Sequence, residues 1–403
     1  MNRPLIIGAL FILLIILAAP GYSQTRARDL GVPFPGTPGP NNALTDVKGV
    51  EVGHVTLIEG EGKLVRGKGP VRTGVTAIHP RGKESTNPVF GGWFTLNASG
   101  EMTGTTWLDE RGLIDGPILI TNTHSVGVVR DAAVAWMVDK GWPASWHAPV
   151  VAETYDGAFS DINGFHVTKE HALTALADAS SGPVEEGAVG GGTGMWCNDF
   201  KGGIGTSSRQ VTFDEATYTV GVLVQCNYGW RESLIQIAGV PVQELHNTQL
   251  PCYTDTSIEG QYVDELGYCD DVPSKAERPQ DGSIIILVAT DAPLLPHQLT
   301  RLAKRPSLGI GRLGGVSSNG SGDIFIAFST ANDGNLSEDV PSTDLSMHPN
   351  NALTPLFRAA VEATEEAIVN AMVAAHTMIG ADGLLLPELP EDKLREIMSK
   401  KRN

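Results

Sequence analysis

The sequence predicts an α/β chain of layered sheets covered by helices. Three observations predict it. Strand-like and helix-like stretches alternate over nearly all of the chain beyond residue 47. The strongest strand signal, Ser283-Ile284-Ile285-Ile286-Leu287-Val288, is continuously apolar, which implies burial on both faces. The 403 residues are 41% hydrophobic, ample for a large core.

The elements follow in order. Residues 5–19 are an unbroken apolar run behind Arg3, and Gly21-Tyr22-Ser23 places small residues before Gln24. That layout predicts a signal peptide over 1–23, removed to leave a single domain, 24–403, in the periplasm or outside the cell. Residues 24–42 are rich in Pro and Gly and predict an extended arm. Strands are predicted over 49–55, 71–78, 117–121 and 150–154, and helices over 126–140 and 166–179. Residues 187–205 are glycine-dense. No Lys-Ser/Thr follows them, so close backbone packing is expected there rather than a phosphate cradle. A strand is predicted over 218–225. Residues 229–279 lack periodicity and carry many acids, so they form either a functional excursion or a flexible segment. Beyond the strand at Ser283, a helix over 294–305, a buried strand over 323–328 and a long buried helix over 352–379 complete the pattern.

The formal charge of −17 argues against nucleic acid or an anionic membrane as partner. Four cysteines, Cys197, Cys226, Cys252 and Cys269, have no metal-ligand spacing. Cys252 and Cys269 lie in a polar stretch where a bridge and two free thiols are both open. Cys197 and Cys226 read as small buried hydrophobes. The ten histidines form no pair at ligand spacing, and no G-x-S-x-G or H-E-x-x-H occurs. His124 and His166 stand near strand ends, where a structural role is the ordinary expectation. No metal or other cofactor is expected.

At Asp281-Gly282-Ser283 a Gly-Ser pair directly precedes the apolar strand. Locally this is a turn feeding a strand. It also permits a specific chemistry. The Ser283 hydroxyl can attack the Gly282 carbonyl, and water can open the resulting ester. Glycine accepts the unusual dihedrals such an attack requires. The product places a free α-amine, with a pKa of about 7.7–8.0, on the residue that bears the hydroxyl. Base and nucleophile then share one residue, and no histidine is needed.

The rest of the chain resembles the DmpA-type self-cleaving serine aminopeptidases, which include L-aminopeptidase/D-esterases and β-peptidyl aminopeptidases. Seven blocks carry the resemblance between about residues 44 and 380. They are Asn122-Thr123-His124-Ser125-Val126-Gly127, Glu153-Thr154-Tyr155-Asp156-Gly157, the glycine run from Gly187 to Met195, Lys201 to Arg209, Gln225-Cys226-Asn227-Tyr228-Gly229, Asp281-Gly282-Ser283, and Gly320-Ser321-Gly322-Asp323-Ile324.

The resemblance implies a four-layer α/β/β/α sandwich, a fold shared with ornithine acetyltransferases. It implies scission at Gly282-Ser283 into an α chain, 24–282, and a β chain, 283–403, and a homo-oligomer of αβ units, often a tetramer. Ser283 would be the nucleophile, with Ser321 and Asp323 orienting its hydroxyl and amine. Some β-peptidase members carry Glu where this chain has Asp323. Asn227 would stabilise the oxyanion, Tyr155 would bond the tetrahedral intermediate, and Glu153 would receive the substrate ammonium. Substrates would be short peptides, amides or esters with a free amino end, with L-, D- and β-amino acids all handled within the family. The alternatives are an acyltransferase of the ornithine acetyltransferase type, although those enzymes expose Thr rather than Ser, and a β-peptidyl aminopeptidase with strict β-amino acid preference. A binding protein that keeps the fold uncut is the remaining one.

Overall fold

The computed structural model describes residues 24–143, 145–213, 216–271, 282–333 and 342–400. The segment read as a signal peptide, 1–23, lies outside the described residues, as does Asp281.

Two sheets form the centre. The first has four strands in the order Glu51–Glu59, Val71–His79, Ile118–Asn122, Val150–Thr154. The second has six, in the order Leu113–Ile114, Val89–Thr95, Gly322–Ser329, Ser283–Thr290, Ala216–Asn227, Gly203–Phe213. Within it only Ser283–Thr290 and Gly322–Ser329 run parallel. Their crossover contains the helices Pro296–Ala303 and Pro306–Leu313.

The Ser283–Thr290 strand shows why a continuous apolar run was required. All eight residues are buried. Ile284, Ile286 and Val288 face one apolar layer, and Ile285, Leu287 and Ala289 face the other. Side chains alternate across a strand, so a central strand between two apolar layers shows no period-2 signal.

The second layer is the seam between the sheets, where Ile78, Ile118, Ile120 and Ala152 meet Leu223, Ile285, Leu287 and Ile326. The helices Val126–Asp139 and Lys169–Asp178 cover the outer face of the four-stranded sheet. Thr354–Val373 and Pro296–Ala303 cover the six-stranded one, and Pro306–Leu313 packs on Thr354–Val373. The layers therefore run α/β/β/α, as the resemblance implies.

Several elements depart from expectation. The last long helix ends at Val373, not near 379, although its composition continues through Ala374 and Ala375. There the Gly187 backbone abuts Ala374, whose carbonyl oxygen stands only 2.5 Å from where a Gly187 Cβ would be. The Val89–Thr95 strand carried no signal because it contains Gly91 and Gly92. A Cβ on Gly92 would lie 2.4 Å from the Thr300 nitrogen, so this glycine admits the Pro296–Ala303 helix against the sheet.

The N-terminal arm is not free. Ala27, Leu30, Val32 and Phe34 are buried in the core. Arg28 pairs with the buried Glu366 at 2.7 Å, and Arg26 with the buried Glu186 at 2.8 Å. The glycine-dense stretch packs closely between the sheets. A Cβ on Gly191 would stand 2.3 Å from the Gln225 side chain and 2.7 Å from the Ile120 carbonyl.

Both cysteine pairs are bridged, Cys252 to Cys269 and Cys197 to Cys226. The second bridge corrects the reading of those two as unbonded hydrophobes. They are fully buried, but a hairpin of Trp196–Cys197 with Phe200–Lys201 folds back and brings their Cα atoms to 5.6 Å across 29 residues of sequence.

Candidate active site

Two strand registers build the site. The antiparallel ladder places Asn227 directly opposite Ser283, and the parallel ladder places Gly322 beside Ser283 on the other flank. Ser283 therefore opens a central strand with a neighbour on each side. Its Oγ accepts a hydrogen bond from the Gly322 N–H at 3.2 Å, and the same N–H reaches the Gly282 carbonyl oxygen at 3.1 Å.

Glycine at 282 meets a different need from the one expected. It does not take a left-handed φ. A Cβ there would instead lie 2.9 Å from both the Asn227 carbonyl oxygen and the Tyr228 Cα, so the residue is glycine for room.

Asn227 is fixed at both ends of its amide. Its Oδ1 accepts from the Trp196 N–H at 3.1 Å, and its Nδ2 donates to the Tyr155 carbonyl at 2.9 Å. Those partners assign the amide orientation and leave one N–H of the Nδ2 group for another acceptor. The Cys197–Cys226 bridge lies one residue from Trp196 and one from Asn227, so it clamps this arrangement. Gln225, on the same strand, crosses to the other sheet, donating to the Thr154 hydroxyl at 2.8 Å and the Thr121 carbonyl at 3.1 Å. That bond holds the strand end bearing Glu153 and Tyr155 against the one bearing Asn227.

Ser321 donates to Asp323 Oδ2 at 3.0 Å. Asn97, which sequence reasoning missed, donates to the Ser321 Oγ at 2.9 Å and to the Ser317 and Ser318 carbonyls. With Asn97 as its donor, Ser321 directs its own proton to Asp323. Burial raises the Asp323 carboxyl above the ordinary range, and the Ser317 and Ser321 hydroxyls pull it back.

Glu153 is buried behind Ser99 and Gly100. Its carboxylate accepts from the Glu101 N–H at 2.9 Å and from the Thr123 hydroxyl. Burial raises its pKa. A Cβ on Gly100 would stand 3.0 Å from Glu153 Oε1 and 3.5 Å from the Gly322 Cα, so glycine at 100 lets that carboxylate pack close to the strand beside Ser283.

A cleft of about 270 Å³ opens over Ser283 and Asn227. Tyr155 lines it and is 42% exposed. The floor includes Ser99, Gly282 and Gly320, and the wall is Trp196, Trp230, Tyr262, Glu265 and Leu266. Most of this wall comes from the aperiodic stretch after residue 229, of which the described part, 230–271, contributes four of these wall residues and 272–279 lie outside the described residues. No local signal marked Tyr262 or Glu265 beforehand. Glu153, Ser321 and Asp323 do not line the cleft; they lie behind its floor. His124 and His166 are outside it as well. His124 stacks on Phe165, and His166 pairs with Asp161 at 2.9 Å. Among the described residues, no three His, Cys, Asp or Glu side chains are grouped to hold a metal ion.

Chemically, the site presents a hydroxyl beside a carbonyl it can attack, an amide donor fixed nearby, and a serine–carboxylate pair behind. That is an acyl-transfer constellation.

Known proteins match over most of this chain. The model of peptidase family S58 matches residues 42–386. The β-peptidyl aminopeptidase BapA of Sphingosinicella microcystinivorans is 57% identical over 391 residues, 96% of each chain. The BapA of Sphingosinicella xenopeptidilytica is 46% identical over 95% of this chain and 93% of its own. The solved L-aminopeptidase D-Ala-esterase/amidase of Ochrobactrum anthropi, a serine aminopeptidase with a variant Ntn hydrolase fold, superposes with a TM-score of 0.82. It shares 45% identity over 94% of this chain and 99% of its own.

Proposed function

This chain belongs to peptidase family S58 and is a serine aminopeptidase, and we propose that it is exported, cuts itself between Gly282 and Ser283, and then removes N-terminal β-amino acid residues from short peptides, amides or esters. The observation that carries the reading is the position of Ser283: lining the cleft, opposite Asn227, with its hydroxyl and the preceding carbonyl held by one N–H.

After scission the Ser283 amine takes the hydroxyl proton while Oγ attacks the substrate carbonyl. Asn227 stabilises the oxyanion with its remaining N–H, and the Tyr155 hydroxyl lies within the same cleft to bond the intermediate. Ser321 and Asp323 orient the amine from behind. Glu153, packed against Gly100, receives the substrate ammonium, which makes the free amino end a requirement. Water then releases the acyl group from Ser283.

Preference for β-amino acids is supported by the two relatives named β-peptidyl aminopeptidases. Export is supported by two disulfides, which persist in oxidising compartments. The αβ units assemble as a homo-oligomer, measurable by light scattering. The test of activity is a panel of L-, D- and β-aminoacyl anilides. The reading expects the β-aminoacyl members to be released fastest, and faster release of an L- or D-member would refute the preference.

A further inference from the structure

We infer that the backbone N–H of Gly322 is the oxyanion donor of the self-cleavage step, a task Asn227 does not share. The inference rests on the self-cleavage reading above and assigns a catalytic group within it.

In a parallel pair, the N–H of one residue bonds the carbonyl that precedes its register partner. The pairing of Ser283 with Gly322 thus aims the Gly322 N–H at the Gly282 oxygen, the atom of the scissile bond that becomes negative, and the distance is 3.1 Å. The attacking Oγ is held by the same N–H at 3.2 Å. One donor therefore fixes both the nucleophile and the oxygen of its target.

Residue 322 must lack a side chain for this to hold. A Cβ would stand 2.4 Å from the Ser99 carbonyl oxygen and 3.0 Å from Ser283 Oγ. Asn227 is placed otherwise. Its amide is engaged by Tyr155 and Trp196, and it faces the cleft where substrate enters. The Gly282 carbonyl is turned toward the opposite neighbour strand.

The step balances without a co-reactant beyond water. Ser283 Oγ adds to the Gly282 carbonyl carbon, and the C=O pair moves onto the oxygen facing Gly322. Collapse breaks the C–N bond, and the hydroxyl proton ends on the Ser283 nitrogen, so an amide becomes an ester. Water adds to the ester, Oγ regains a proton, and Gly282 leaves as a carboxylate while the new amine takes up the proton released.

The test follows scission of the full chain after a pulse of cell-free synthesis. One variant carries glycolic acid at 322, which replaces the N–H with an ester oxygen and adds no bulk. A control carries the α-hydroxy counterpart of Ile324, removing a sheet N–H away from the reacting atoms. A third is Asn227→Ala. Soluble precursors with the same melting midpoint are compared. The 322 ester is expected to slow scission about 10²-fold relative to the 324 ester, in the range of a single lost oxyanion donor. Asn227→Ala is expected to be cut within about threefold of the parent rate while its anilide turnover falls about 10²–10³-fold. Equal scission of the two esters, or a folded Asn227→Ala precursor that stays whole, overturns the inference. A parent chain that is never cut refutes the self-cleavage reading itself.

Discussion

The floor and the wall of the cleft are built on opposite principles. The floor is built around strand ends. Ser283, Asn227 and Gly322 are placed by the registers of three adjacent strands, in a sheet whose Ser283–Thr290 member is buried throughout. The wall is an irregular excursion carrying Trp230, Tyr262, Glu265 and Leu266. It has only short elements and is held by Cys252–Cys269 and by the buried Arg231, which donates to the Asp199 carbonyl at 2.6 Å and the Thr248 hydroxyl at 2.7 Å. A reaction that needs atoms fixed to fractions of an ångström is seated on the ladder, and recognition, which tolerates variation, is seated on the loop. Damage to the floor should therefore appear in kcat and in processing, and damage to the wall in KM.

The largest effect expected is that of Ser283→Ala. It leaves a single full-length band on a denaturing gel and anilide turnover at background. A variant that still splits at this bond would separate the floor from the chemistry assigned to it.

Next comes Glu153→Gln, which removes the carboxylate proposed to hold the ammonium. A drop of about 10²-fold in kcat/KM is expected, the scale of a lost charge-assisted pair, with processing intact. The pH profile sharpens this. Burial raises the Glu153 pKa, so protonation sets in above the ordinary carboxylate range and activity falls with acid from there. Asp323 is raised as well, so the variant should lose only part of the acid limb. An unchanged limb would contradict the assignment. Gly100→Ala, which would crowd a Cβ to 3.0 Å from that carboxylate, is expected to lower kcat/KM for the same substrates.

The two disulfides give the most pointed comparison. Replacing Cys197 and Cys226 by Ser loosens the clamp beside Asn227 and is expected to lower kcat about tenfold. Replacing Cys252 and Cys269 loosens the wall and is expected to raise KM several-fold, with kcat within about twofold. The same kinetic signature from both pairs would break the division between floor and wall. Either loss should also lower stability by roughly 3 kcal/mol on the chain-entropy account.

The smallest effect concerns stability alone. Burial pushes the Asp156 carboxyl up to about 7, with Asn122 bonding both its oxygens. The folded state then binds a proton that the unfolded state releases near pH 4, so this group's contribution is full below that and is lost as pH rises toward 7. Asp156→Asn should flatten the fall in melting temperature between pH 4 and 7. An identical slope in the variant would refute the buried-acid account.

Much of the floor was legible in the sequence, and much of the wall was not. The Ser283 strand is legible because burial on both faces leaves an unbroken apolar run. The Val89–Thr95 strand is not, because its glycines answer to a helix packed on it rather than to the strand. Ser283, Asn227, Ser321 and Asp323 could be listed from the family blocks, but their meeting depends on registers between segments far apart in the chain. The Cys197–Cys226 bridge was illegible for the same reason: the pairings of Cys197 with Phe200 and of Cys226 with Gly203 together bring the two close. Asn97 carries no motif at all, and its meaning arises from the three acceptors around its amide. Tyr262 and Glu265 lie in a stretch without periodicity, where sequence reports composition and nothing about direction.

The most direct measurement on the central claim is the intact mass of the purified protein together with N-terminal sequencing of its components. Two chains are predicted, one of them beginning Ser-Ile-Ile-Ile-Leu at Ser283. A single chain running uncut through Gly282 and Ser283 in an active preparation would contradict it.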